Sequence, residues 1–324
     1  MHALENILQT WVQLLTDAIV HPALAALGLQ HAAWVQQLAA RTDAKDWLLL
    51  ALAPVFAVTL LAEWLALRKR AGIYKLSDSM ASMNLGGIYL VLDLLLLTFF
   101  VVPLFYWVHG HRLIDIPING WTFAALYVAV DFSFYVFHRA SHRIRWFWCA
   151  HVVHHASEHM NFTTAMRQSI FYNVAGQWLF YVPLAFIGFD PVWVVFALSI
   201  KLGYKFFLHT QCVGQLPAPI EFIFNTPSHH RAHHGRNPVY IDRNSGGTFI
   251  VWDRLFGTFV PEDTQRHPVD YGIVRQVHSN NPLWLNLHEW MDMFADALRP
   301  GPLGQRFKHL WAPPEWERAT SPQG

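Results

Sequence analysis

Residues 121–155 read WTFAALYVAVDFSFYVFHRASHRIRWFWCAHVVHH, and this stretch decides the fold. Its first half, Trp121 to Phe137, is apolar with Asp131 as its single charge. As a helix it is just long enough to cross a hydrocarbon layer about 30 Å thick. Its second half opens on two histidine motifs, the HxxxH of His138 and His142 and the HxxHH of His151, His154 and His155. Residues three and four apart share a helix face, so each motif can turn its imidazoles to one centre. An apolar span that hands over to clustered histidines predicts an all-α, integral-membrane helical bundle whose polar cap carries a metal site.

The rest of the chain extends that reading. Of the 324 residues, 53% are hydrophobic and only 14% charged, against about 25% charged in a soluble domain. Trp47 to Leu67 and Leu85 to Val108 are further apolar runs of spanning length, and Phe171 to Leu208 reads as two crossings joined by Gly188-Phe189-Asp190-Pro191. The expectation is about four or five spans. Residues 5–40 carry an apolar stripe (Leu8, Trp11, Val12, Leu15, Ile19) against a polar face (Gln9, Gln13, Asp17, His21), broken at Pro22. They fit a helix pair at the interface. The divisions are residues 1–45 for these interfacial helices, 46–270 for the catalytic domain, and 271–324 for a C-terminal amphipathic helix and tail.

Charge sets the orientation. Arg68, Lys69, Arg70 and Lys75 follow the first span, and Arg139, Arg143, Arg145 and Arg167 follow the third, whereas the link 109–119 holds only Arg112. The positive-inside rule places the first two groups, and with them the histidine motifs, on the cytoplasmic side. That implies an integral membrane protein, of a bacterial inner membrane, with no cleaved leader, since Met1-His2-Ala3-Leu4-Glu5 lacks a basic start. A net charge of +1 gives no electrostatic reason to expect nucleic acid. Cys149 and Cys212 are too few for a disulfide framework and read as buried apolar residues.

Histidine is the outlier, with 20 in the chain. A third motif, His230, His233 and His234, repeats HxxHH, and each doublet splays its rings to two sides. The motifs supply eight imidazoles, more than one zinc ion holds. His209, at the end of the last apolar run, is a ninth candidate. Two metals sharing these nitrogens could each keep an open position, as O2 activation requires, and imidazole suits iron, copper and zinc alike. There is no HExxH, which argues against a zinc protease. Asp131 lies two helical turns before His138 and is read either as the acceptor that orients a ligand imidazole or as a helix-packing residue. His229 adjoins the third motif but points about 100° from His230 on a helix; His159, one turn beyond His155 on a segment leaving the helix, is not assigned, and the scattered histidines are expected at surfaces and interfaces. Beyond the metal ligands no separate catalytic residue is assigned.

These motifs, with His151-Val-Val-His-His-Ala-Ser-Glu158, Asn161-Phe-Thr-Thr-Ala-Met-Arg-Gln-Ser169, His229-His-Arg-Ala-His-His-Gly-Arg-Asn237 and Trp252-Asp-Arg-Leu-Phe-Gly-Thr-Phe259, resemble the fatty acid hydroxylase and sterol desaturase superfamily. Within it the strongest likeness is to alkylglycerol monooxygenases and their bacterial relatives, with Arg143 standing where those enzymes carry Glu. The resemblance covers roughly residues 125–260. It implies two iron ions (zinc is a possible occupant on isolation) held by His138, His142, His151, His154, His155, His230, His233 and His234. It also implies an O2-dependent lipid hydroxylase fed by an external reductant, tetrahydrobiopterin or a ferredoxin- or cytochrome-type donor. A lipid or sterol desaturase on the same site stays open, as do a haem electron-transfer protein and a metal-binding membrane protein without catalysis.

Overall fold

A computed structural model describes residues 52–70 and 72–318. The interfacial helices expected before residue 46, the start of the first apolar run and the last residues of the tail lie outside them. Among the described residues the fold is all-helical, with two isolated bridges, Phe224 to Phe249 and Gly235 to Tyr271, and no strand.

Helix α1 is Ala53–Leu67, and α2 is Leu76–Leu96. The second apolar run continues from α2 through a π-helical turn, Leu97–Val101, into α3, Val102–His109. Pro103 accounts for the break: its ring has no N–H and collides with the carbonyl four residues back, and a wider turn relieves the clash. Helix α4, Gly120–Arg143, starts on a capping box, in which Asn119 Oδ1 accepts from Trp121 N at 2.9 Å and Thr122 N at 3.1 Å while Thr122 Oγ1 accepts from Asn119 N at 2.8 Å. It is the one helix among the described residues long and apolar enough to cross a membrane; Ala53–Leu67, Phe99–His109 and Gln177–Ile187 are shorter apolar helices.

Ile144 is extended (φ −124°, ψ 116°), so the chain turns sharply into α5, Arg145–His155. Phe171 to Ile187 is not the continuous crossing expected. It breaks into α7 (Tyr172–Ala175), a 3₁₀ turn (Gln177–Phe180) and α8 (Val182–Ile187), after the short α6 (Phe162–Ala165). Gly176, at φ 93°, ends α7 in a left-handed conformation, and Pro183 starts α8. Helix α9, Pro191–Phe206, packs along α4, as α5 does. Their shared core includes Leu126, Val130, Val194 and Ala197, none of them exposed.

The polar half follows. Helices α10 (Ala218–Ile223), α11 (Pro227–His233) and α12 (Val251–Leu255) are short. The C-terminal segment is two helices rather than one, α13 (Pro282–Leu298) and α14 (Leu303–Trp311), because Pro300-Gly301-Pro302 interrupts it. Both pack on α5. Arg145, almost fully buried, fixes them there: it donates to Glu289 and to Asp296, each at 2.8 Å.

Candidate metal centre

Four segments converge where α4 ends. Helix α4 brings His138 and His142, α5 brings His151, His154 and His155, the end of the α9 run brings His209, and α11 with the residue after it brings His230, His233 and His234. All nine are buried. Their ring nitrogens form two groups, within each of which every ligand atom lies within 4.8 Å of the others. The group of five is His138, His142, His151, His155 and His233; the group of four is His154, His209, His230 and His234.

Helical geometry explains the division. In each HxxHH motif the first and last histidines, four apart, serve one group and the middle one serves the other. The rings of His154 and His155 stand at 90°, and those of His233 and His234 at 89°. The groups adjoin, with the rings of His155 and His234 stacked at 4.3 Å.

Hydrogen bonds fix which nitrogen faces inward. Nδ1 of His138 donates to the carbonyl of Ser245 at 2.8 Å, and Nδ1 of His233 to that of Arg243 at 2.7 Å. Nδ1 of His154 donates to Arg167 O at 3.1 Å, and Nδ1 of His209 to Lys205 O at 2.8 Å. A carbonyl only accepts, so these four rings carry their proton on Nδ1 and a lone pair on Nε2. Yet Nε2 of His138 and of His233 are 3.0 Å apart, and those of His154 and His209 3.2 Å. Two lone pairs face each other with no proton between them, an arrangement that a shared cation stabilises. Nitrogens at right angles around one metal at about 2.1 Å would sit about 3 Å apart. Nε2 of His142 and of His234 likewise have no hydrogen-bond partner among the described residues. The donor set fits a metal.

Burial also keeps the rings in the ligating form. Loss of solvent pushes the pKa values of His151, His155, His230, His233 and His234 well below the usual imidazole value, and that of His154 down to about 3. Neutral imidazole is what a metal binds.

Asp131 is placed differently from the expectation. Among the described residues it makes no hydrogen bond to an imidazole. Its Oδ1 accepts from Thr248 N at 2.5 Å, and its Oδ2 from Phe249 N at 3.1 Å and Trp252 Nε1 at 3.0 Å. It therefore holds the loop whose Ser245 carbonyl orients His138. The physical reason is reach: the ring of His138 meets Ser245 first, and the loop's N–H groups fill the carboxylate. Asp253 braces the same loop, accepting from Ser245 N at 2.9 Å and Gly246 N at 2.7 Å. His229 lies outside both groups, its Nε2 2.7 Å from Glu221. His159 sits apart, 2.8 Å from Gly72 O. His288 on α13 and His309 on α14, expected at surfaces or interfaces, are buried and belong to neither histidine group. Cys149 is buried with its sulfur 3.7 Å from that of Met293, whereas Cys212, expected buried, is exposed.

Sequence reasoning missed several supports. Tyr172 places its hydroxyl 2.6 Å from His151 Nδ1. Asp242 lies 3.6 Å from His142 Nδ1. The guanidinium of Arg167 is buried and donates to Val153 O and Asp78, which pins the segment whose carbonyl receives His154. Lys201 and Lys205 are buried beside the cluster, with Lys201 Nζ 3.4 Å and Lys205 Nζ 4.9 Å from the centroid of Phe134. Carbonyl acceptors carry no side-chain signal, so only the fold reveals them.

Residues 123–258 match the model of the fatty acid hydroxylase family. The resemblance carried by the histidine motifs therefore holds: this stretch is similar to a fatty acid hydroxylase domain. The chain is 39% identical over 214 residues to the alkylglycerol monooxygenase of Xenopus tropicalis (66% of this chain, 47% of that one) and 33% identical over 258 residues to that of Homo sapiens (79% and 56%). It is 30% identical over 139 residues to the ornithine lipid hydroxylase OlsE of Rhizobium tropici (41% and 40%). The chain spans about half the length of the alkylglycerol monooxygenases it matches. No solved structure matches it.

Proposed function

We propose that the protein is a membrane-bound monooxygenase that hydroxylates the hydrocarbon part of a lipid with O2, using two iron ions held by the nine histidines. The observation that carries this reading is the set of facing Nε2 lone pairs, which a bound cation reconciles with the Nδ1 bonds. Two groups of nitrogens call for two ions. Iron there would supply the redox chemistry of O2 activation and electron transfer. The protein's own part is to hold neutral imidazoles in a fixed orientation and to bury the reacting region away from water.

The names of the relatives favour hydroxylation over desaturation, since they are alkylglycerol monooxygenases and an ornithine lipid hydroxylase. A bilayer location is supported by α4 and by the outward-facing apolar side chains of α1, α2 and α4, among them Val58, Leu65, Val91 and Trp121. Such surface is unfavourable in water and ordinary in lipid. Arg139, Arg143 and Arg145 at the histidine end of α4 support a cytoplasmic site, within reach of a soluble electron donor. The direct test is lipid profiling of cells with and without the protein under ¹⁸O2. A lipid bearing one ¹⁸O atom supports hydroxylation; loss of two hydrogens with no label would mean desaturation, and no lipid change would sink both.

A further inference from the structure

Two hollows meet on the outer face of α4, and one of them reaches His142. One, of about 750 Å³, is walled by Trp121, Ala125, Val128 and Phe132 with Trp252 and Leu255, and its lining is apolar. The other, of about 560 Å³, lies nearer the cytoplasmic end and holds Arg139, Arg143 and Arg243, with Asp242 and Glu315. Phe256 lines both, and its ring stacks on Tyr135 at 5.5 Å between them. Trp121, Ala125, Val128, Phe132, Arg139 and Arg143 follow one another at helical spacing, so they form a single stripe that is apolar first and cationic at its end.

The cationic hollow has spare donors. Arg143 pairs with Asp242 at 2.8 Å. Arg139 donates to Tyr135 Oη at 3.1 Å and Arg243 to Gly257 O at 3.1 Å, and among the described residues neither has a carboxylate within ion-pair distance. Glu315, exposed at the rim, offsets one of these charges and makes no ion pair among the described residues. Guanidinium forks match the oxygens of phosphate in geometry and charge. From Phe132 to Arg139 is about 10 Å along the helix axis, which separates the two hollows as a lipid's hydrocarbon is separated from its head.

We propose that this composite groove binds a lipid with a phosphate-bearing headgroup, its head among Arg139, Arg143 and Arg243 and its hydrocarbon along the apolar stripe. The occupant is a lipid and not an acidic protein, because a protein loop would fill the cationic hollow and leave the apolar one uncovered. The site also reaches the metal centre: His142 lines the cationic hollow, and Asp242 lies between Arg143 and His142 Nδ1. A bound head would thus sit against the wall of the five-histidine group. The proposal rests on the membrane reading of α4 and is independent of the metal chemistry.

The test is native mass spectrometry of the full chain in neutral detergent, titrated with a diacyl phosphatidate, with the diacylglycerol of the same chains, and with inorganic phosphate. Phosphatidate should be retained at least about tenfold better than diacylglycerol, as the loss of charge-assisted hydrogen bonds implies. The Arg139→Gln/Arg243→Gln double variant should fall to the diacylglycerol level. Ala125→Trp, at an exposed position, should weaken phosphatidate by filling the apolar hollow and leave inorganic phosphate unaffected. Equal retention of diacylglycerol, an unaltered double variant, or inorganic phosphate binding as tightly as the lipid would each overturn the proposal. Arginine-dependent lipid binding in a chain that takes up no iron would overturn the oxygenase reading alone. Normal iron uptake without lipid preference would overturn this proposal alone.

Discussion

Asp131→Asn should loosen the centre without touching a ligand. The carboxylate accepts three N–H groups, from Thr248, Phe249 and Trp252, and is fully buried. Hydrogen bonds to a charged group are worth about 1.5–3 kcal/mol each. An asparagine keeps one accepting oxygen, and its NH2 must then face at least one N–H. The loss of that bond and of the charge on the others amounts to about 2–4 kcal/mol, or several degrees of melting temperature. The loop is held so closely that a Cβ on Gly247 would collide with Asp131 Oδ1. Loosening it frees Ser245, the acceptor that orients His138, and losses of that kind weaken metal binding about 10- to 100-fold. Melting temperature and Fe(II) affinity, measured on the same preparations, check both halves. Normal values for both would refute the role given to the loop; weaker iron with an unchanged melting temperature would mean that Asp131 acts on an imidazole directly.

Tyr172→Phe removes the hydroxyl 2.6 Å from His151 Nδ1, and Fe(II) titration should show about 10- to 100-fold weaker binding with little change in melting temperature. Arg145→Leu strands the partly buried Glu289 and leaves Asp296 with Arg299 alone; calorimetry should show a loss near the low end of about 3–5 kcal/mol with iron stoichiometry unchanged. Metal-free protein should lose stability as pH falls from 7 toward 4. His151, His154, His155, His230, His233 and His234 have depressed pKa values, that of His154 about 3, so the unfolded chain takes up protons first, from about pH 6.5 downward. A melting temperature constant over that range would contradict their burial as neutral rings.

The nine histidines were legible because spacing and helix geometry act locally: i, i+3 and i+4 already dictate that a doublet serves two sides. His209 was legible only by its place at the end of an apolar run. The supports were not, because Ser245 O, Arg243 O, Arg167 O and Lys205 O are main-chain groups presented by tertiary packing. Asp131 was recognised as unusual, since a buried carboxylate needs partners, but its partners lie about 117 residues away along the chain. The crossings were over-read between Phe171 and Ile187, where composition is apolar but Gly176 and Pro183 break the helix. Hydropathy reports burial and not continuity.

The central claim is that two metal ions sit on two separable sets of histidines. It is tested most directly by counting iron per chain after anaerobic Fe(II) loading, in the natural protein and in His151→Ala and His230→Ala, one from each group. The account predicts about two ions in the natural protein and about one in each variant, with the fold retained. A count of one in the natural protein, or a count unchanged by either substitution, would contradict it.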